Sequence, residues 1–248
     1  MRLREQNDKT MTLVDEQLEM DKVSIAEVAL NYPQAVDILK AYNLDYCCGG
    51  KKSFSEACRK AGVEPANVWQ EILNAKANHG ADSRIRFDAW DGPLLIDFVI
   101  QHHHDYVRRS IPEIQQLLEK VCGVHGDDTP NLYTIRENFS DLANELIQHM
   151  HKEEAILFPA MRASFYDEKH SGETEFDLTA PILVMEHEHD SAGDLIKSIR
   201  ALTDNYTPPA YACPTFRMTF VMLQQFDDDL MQHIHIENNI LFPKAGKG

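Results

Sequence analysis

The sequence predicts an all-α protein: an antiparallel four-helix bundle preceded by a small helical domain. Three observations predict it. From Pro93 onward, four long stretches place apolar residues at steps of three and four, the period of a helix with one buried face, and none alternates as a strand does. Each stretch begins at a helix-start signal: Asp91 before Gly92-Pro93, then Pro130, Pro181 and Pro214. One phrase also occurs twice, 84 residues apart: His149-Met-His-Lys-Glu153-Glu-Ala-Ile-Leu-Phe-Pro159 and His233-Ile-His-Ile-Glu237-Asn-Asn-Ile-Leu-Phe-Pro243.

The order along the chain follows from local signals. Residues 1–22 are polar and aperiodic and read as a mobile N-terminal extension. Residues 23–79 read as the small domain. Ser24-Ile-Ala-Glu27 and Ser53-Phe-Ser-Glu56 are capping boxes, Pro33 opens a helix through Leu39, Gly62 is a stop, and a further helix runs from Pro65 through Trp69 and Leu73. Between them, Asn43-Leu-Asp-Tyr-Cys47-Cys48-Gly49-Gly50 reads as a turn. Residues 80–91 are the linker and 92–248 the bundle, with helices over roughly 93–121, 131–163, 180–203 and 214–241.

Composition excludes several classes of function. The net charge of −16 provides no basic footprint for nucleic acid and no attraction to an anionic membrane surface. The longest apolar runs, such as Leu94-Leu95-Ile96, are far too short to span a bilayer. The N-terminus lacks the apolar core of a secretion signal. Five cysteines without framework spacing point to free thiols in a reducing, cytoplasmic setting. The oligomeric state is not legible, which leaves a homodimer open.

The periodicity selects the candidate site. The buried seam of the first helix is Ile100, His104, Val107, Ile111, Ile114, Leu118. In the second it is Ile135, Phe139, Leu142, Leu146, His149, Glu153, Ile156, Ala160. The third carries Ile182, Met185, His189, Ala192, Ile196 and Ile199. The fourth carries Phe216, Thr219, Leu223, Phe226, Leu230, His233, Glu237 and Ile240. Each seam is apolar except for His104, His149, Glu153, His189, His233 and Glu237. Ionised groups buried without partners are costly, and a metal supplies the shared counter-charge. His102, His103, His151, His187 and His235 fall on flanks, and Asp227-Asp-Asp229 reads as a solvated face.

The second half of the bundle echoes the first, since His102-His-His104-Asp105 returns as His187-Glu-His189-Asp190. Two hairpins, each offering His from one helix and His plus Glu from the next, build a two-metal site with bridging carboxylates. His125, in the connection after the first helix, breaks the symmetry; it either completes one metal's shell or stands apart. If it joins, five histidines, two bridging carboxylates and a bridging oxygen fill all but one position around two octahedral ions. Imidazole and carboxylate donors without thiolate favour iron, then manganese, over a structural zinc. Glu186-x-x-His189 matches the ferritin-type motif, but no second Glu-x-x-His accompanies it. Cys47-Cys48 is either a tight turn with two small buried thiols or a redox-active pair able to approach a metal or partner.

Four helices with His and His-x-x-x-Glu ligands resemble the hemerythrin-like family. The chain departs from oxygen-carrying hemerythrins: four residues after His189 comes Gly193 rather than His, and the last helix carries Glu237 rather than Asp. Asp45-Tyr-Cys-Cys-Gly-Gly50 ahead of such a bundle resembles the RIC family (repair of iron centres, ScdA or YtfE type), over about residues 23–244. The resemblance implies an ScdA-type N-terminal domain and a di-iron centre, oxo- and carboxylate-bridged, on His104, His125, His149, Glu153, His189, His233 and Glu237. It implies repair of iron–sulfur clusters damaged by nitric oxide or peroxide through iron donation, with iron–sulfur proteins as clients and Cys47 and Cys48 brought near the iron. Nitric oxide reduction, or binding or sensing of oxygen, are the alternatives it leaves.

Overall fold

The computed structural model describes residues 20–32, 34–78, 85–166 and 177–246. Among them the protein is all-α, and its only β feature is an isolated bridge between Ser24 and Ser53. The chain divides into two compact units, Met1–Ile85 and Arg86–Gly248.

The first unit contains α1 (Ile25–Asn31), α2 (Ala35–Ala41), α3 (Phe54–Lys60) and α4 (Pro65–Asn78). Ser24 Oγ accepts from the Glu27 amide at 3.1 Å while the Glu27 carboxylate accepts from the Ser24 amide at 2.8 Å, satisfying two otherwise orphaned donors. Ser53 caps α3 by accepting from the Glu56 amide. Gly62, just past α3, takes a φ of +74°, which a side chain would resist. Ile25, Val28, Leu39, Phe54, Val68 and Ile72 form the core. Pro33 and residues 1–19 lie outside the described residues, as do His79 and His170. Met20 is buried and Asp21 pairs with Arg59 at 3.1 Å, so the end of the expected extension belongs to this unit.

The second unit begins earlier than the sequence implied. Phe87–Ala89 form a 3₁₀ turn, and the Phe87 ring meets Trp90 and Phe98 at 5.0 Å each. The end of the expected linker is therefore packed, because its aromatics find apolar partners on the following helix.

Four long rods follow. The first runs through α5 (Gly92–Phe98), a π-helical turn (Val99–His104) and α6 (Asp105–His125). The second joins α7 (Asn131–Lys152), a π turn (Glu153–Leu157) and α8 (Phe158–Tyr166). The third is α9 (Thr179–Leu202). The fourth joins α10 (Pro214–Ile236), a π turn (Glu237–Leu241) and α11 (Phe242–Ala245). Asp91 caps α5 by accepting from the Leu94 amide at 2.8 Å. Packing closes a ring: α6 on α7, α7 on α9, α9 on α10, α10 on α6.

The π turns change the expected seam. A π turn inserts one extra residue, which rotates everything beyond it by about 100°. In the second rod Glu153 stays buried, but Ile156 is 58% exposed, and Leu157, Phe158 and Met161 take the core instead. In the first rod Val99 is fully buried in place of Ile100, and His103 turns inward beside His104. Each turn in the repeated phrase runs into a proline (Pro159, Pro243), which has no N–H for the preceding carbonyls. The phrase is thus repeated in structure, π turn included.

Asp227 is a further correction, since it is 3% exposed rather than solvated. The Arg200 guanidinium donates to both its oxygens, and the Tyr206 hydroxyl donates at 2.7 Å. Three donors, two of them from a guanidinium, offset the cost of burying this side chain.

Candidate metal centre

Six of the seven predicted ligands meet between the rods, and all six are buried. They form two overlapping groups, His104-Glu153-His233-Glu237 and His149-Glu153-His189-Glu237, with donor atoms in each within 4.8 Å of one another. Glu153 and Glu237 belong to both. Glu153 Oε2 lies 3.2 Å from His104 Nε2 and 3.4 Å from His149 Nε2. Glu237 Oε2 lies 3.1 Å from His189 Nε2, and Oε1 lies 3.2 Å from His233 Nε2.

These contacts are close, yet neither carboxylate makes a hydrogen bond, and His104 Nε2 and His233 Nε2 make none either. The atoms converge on common space rather than on each other. Two donors bound to one ion at about 2.1 Å and near-right angles stand about 3.0–3.4 Å apart, the spacing found here. The donor set therefore fits a cation in each group.

The outer faces of the imidazoles fix which nitrogen is free. His104 Nδ1 donates to Glu154 at 2.6 Å, His149 Nδ1 to Glu188 at 2.9 Å, and His189 Nδ1 to Asn238 at 2.8 Å. Each bond holds the ring's hydrogen on Nδ1 and aims the Nε2 lone pair inward. His233 is the exception, because its Nδ1 is buried without a hydrogen bond. Arg108 supports Glu154, and Lys152 supports Glu188. Glu154, Glu188 and Asn238 escaped the sequence reading, because a residue that holds a ligand carries no periodic signal of its own.

Charge in the metal-free site is redistributed among these groups. Burial pushes the Glu237 carboxyl up, but His233 and His189 leave it well below the usual carboxylate range. Burial and the charge of Glu237 push Glu153 up, and His149 and His104 overcome them. Burial pulls the His149 imidazole down, but Glu153 and Glu188 raise its pKa to about 10. Burial also pulls His104 down, yet Glu153, Glu237 and Glu154 leave it raised. At His233 burial prevails and the pKa is lowered. Two carboxylates stay ionised while protons occupy imidazoles that a cation would otherwise use.

His125 is not brought to the site. The first rod continues as helix through His125, twenty-one residues beyond His104, so the two are about 30 Å apart along one rod. Its Nε2 instead meets Cys213 Sγ at 3.3 Å. The backbone amide of Phe216 and then His125 lower the Cys213 thiol pKa. The helix runs on through Gly123 to His125 instead of ending near Val121, and this carries His125 away from His104.

Cys47 and Cys48 sit in the loop between α2 and α3 of the first unit, their sulfurs 3.6 Å apart and not joined in a disulfide. Asp45 Oδ1 organises the loop by accepting from the amides of Cys48 and Gly49, each at 3.0 Å, and from the Cys47 thiol at 3.4 Å. Asp45, Cys47 and Cys48 could together hold a metal ion. A side chain at Gly49 would lie 2.8 Å from the Asp45 carbonyl oxygen, so the turn requires glycine. Burial, then Cys48 and Asp45, push the Cys47 thiol well up. In the second unit, an open pocket lined by Glu145, His149, His187, Glu188 and Ser191 reaches His149.

Among the described residues no helix is long and apolar enough to cross a membrane. Residues 95–245 match the hemerythrin HHE cation binding domain, and residues 21–76 match ScdA_N, a domain of unknown function. Similar proteins include three that bear the name iron-sulfur cluster repair protein YtfE. That of Musicola paradisiaca is 37% identical over 91% of this chain and 96% of its own length. That of Pectobacterium carotovorum is 37% identical over 91% and 97%, and that of Yersinia pseudotuberculosis serotype IB is 36% identical over 91% and 97%. With both domain matches and nearly full-length similarity to these relatives, the chain belongs to the YtfE-type, hemerythrin-like family of iron–sulfur cluster repair proteins.

Proposed function

We propose that this chain holds two iron ions, bridged by Glu153, Glu237 and an oxo oxygen, and repairs iron–sulfur clusters damaged by nitrosative or oxidative stress by donating iron to them. The observation that carries the reading is the sharing of both carboxylates between the two donor groups. The name of the relatives supports the repair role. Bound iron supplies an exchangeable, redox-active cation, and here it is also the cargo.

The chain's own residues define the rest. Glu153 and Glu237 neutralise both positions at once, so loss of one ion leaves the other held. The pocket at His149 and Glu188 joins one side of the centre to solvent. Cys47 and Cys48 offer soft sulfur donors to leaving iron. Iron–sulfur proteins are the clients. The net charge of −16 and five cysteines outside any disulfide fit work in the cytoplasm, away from nucleic acid and membrane surfaces.

The test is transfer. Loaded protein, incubated anaerobically with a cluster enzyme inactivated by nitric oxide, should restore its activity and lose iron in proportion. Restored activity without iron loss would overturn the donor reading. Nitrous oxide formed from nitric oxide under turnover, and retained after replacement of Cys47 and Cys48, would favour the reductase instead.

A further inference from the structure

A second cluster of metal-binding side chains lies outside the centre. His102, His103 and Asp229 place donor atoms within 4.8 Å of one another. His103 is fully buried and its Nδ1 stands 3.0 Å from Asp229 Oδ1. The other two atoms of this pair, His103 Nε2 and Asp229 Oδ2, are buried and make no hydrogen bond. Buried polar atoms left without partners are rare and call for an explanation. His102 is exposed, its ring stacked on Phe98 at 4.8 Å.

The π turn Val99–His104 creates this arrangement. It turns two consecutive histidines, His103 and His104, into the interior and leaves His102 at the surface. The His103 ring then lies parallel to His233 at 5.3 Å, inclined by 3°. One imidazole layer thus separates the cluster from the centre. The ligand on that layer, His233, is the one with no hydrogen bond on its outer nitrogen.

We propose that His102, His103 and Asp229 form a third, weaker cation site of the two-histidine-one-carboxylate class that takes ferrous iron, and that iron passes through it between solvent and the centre at His104 and His233. Three protein donors leave the remaining positions to water, which favours exchange over storage. Passage rests on the donor reading above; binding does not.

The experiment is an anaerobic titration of the full chain, already carrying its tightly bound iron, with ferrous ion, read by equilibrium dialysis and elemental analysis. One further equivalent should bind, and His102→Ala and Asp229→Asn should each weaken it roughly tenfold or more. The absorption of the tightly bound iron should not change. His102 is exposed, so His102→Ala tests the site without disturbing the core, and melting curves check this for both variants. No further equivalent in the unmodified protein, or one undiminished in both variants, overturns the site. Iron loss to a chelator should be several-fold slower in His102→Ala; an unchanged rate overturns passage. A third equivalent with slowed release, but no restored cluster enzyme, upholds the site and overturns the donor reading.

Discussion

The Nε2 atoms of His149 and His189 face each other at 3.0 Å in the protein interior. Both rings donate through Nδ1, to Glu188 and Asn238, so in their neutral forms two lone pairs oppose each other. Only a proton or a cation between them relieves this. In the metal-free protein the proton is held, which the raised pKa of His149 expresses.

A pH dependence follows. The folded His149 pKa of about 10 exceeds the ordinary imidazole value of 6.5. Its stabilising contribution to the metal-free protein is complete below about 6.5 and is lost as pH rises through about 10. Cation binding competes with the same proton, so affinity rises across that window. The gap in Tm between loaded and metal-free protein should widen steadily from about pH 6 to about pH 9 in thermal scans. A constant gap would contradict the shared-proton picture.

Each bridging carboxylate serves both donor groups. Glu153→Gln and Glu237→Gln should therefore each reduce iron from about two per chain to well below one. His233→Ala touches only one group and should retain about one. Elemental analysis after anaerobic reconstitution separates the two patterns, and equal losses in all three variants would argue against shared carboxylates.

Asn238 touches no cation but holds His189 through a 2.8 Å bond. Asn238→Leu should weaken iron binding about 10- to 100-fold while leaving the helical circular dichroism in place. Competition with a chelator of known affinity measures it.

His125→Ala should leave iron content unchanged, because His125 sits at the opposite end of α6 from His104. It should instead slow alkylation of Cys213 near neutral pH, since the imidazole helps to stabilise the thiolate. Loss of iron in this variant would restore His125 as a ligand.

The loop carrying Cys47 and Cys48 depends on Asp45 and Gly49. Gly49→Ala pushes a methyl group against the Asp45 carbonyl and should destabilise the protein by about 1–3 kcal/mol in urea titrations. Asp45→Ala removes the acceptor of two amides and one thiol. It should speed modification of Cys47, which is now buried and held as a neutral thiol.

The legible part of this protein is what a single helix imposes on its own residues. His104, His149, Glu153, His189, His233 and Glu237 could be read from the sequence because each falls on the same stripe as the leucines and isoleucines around it, and a helix presents one stripe to its core. The paired phrase identified the carboxylates for the same reason.

What only the tertiary structure decided lies where a residue's role depends on another rod or on a change of helical period. The extra residue of each π turn exposes Ile156 and buries His103, and nothing in a 3.6-residue pattern announces it. Glu154, Glu188 and Asn238 became supports because facing rods present a ligand's Nδ1 to them. His125 met Cys213 because the α6 helix ran on and carried it away from the centre. Periodicity decides which way a side chain points from its own axis, and packing decides what it meets there.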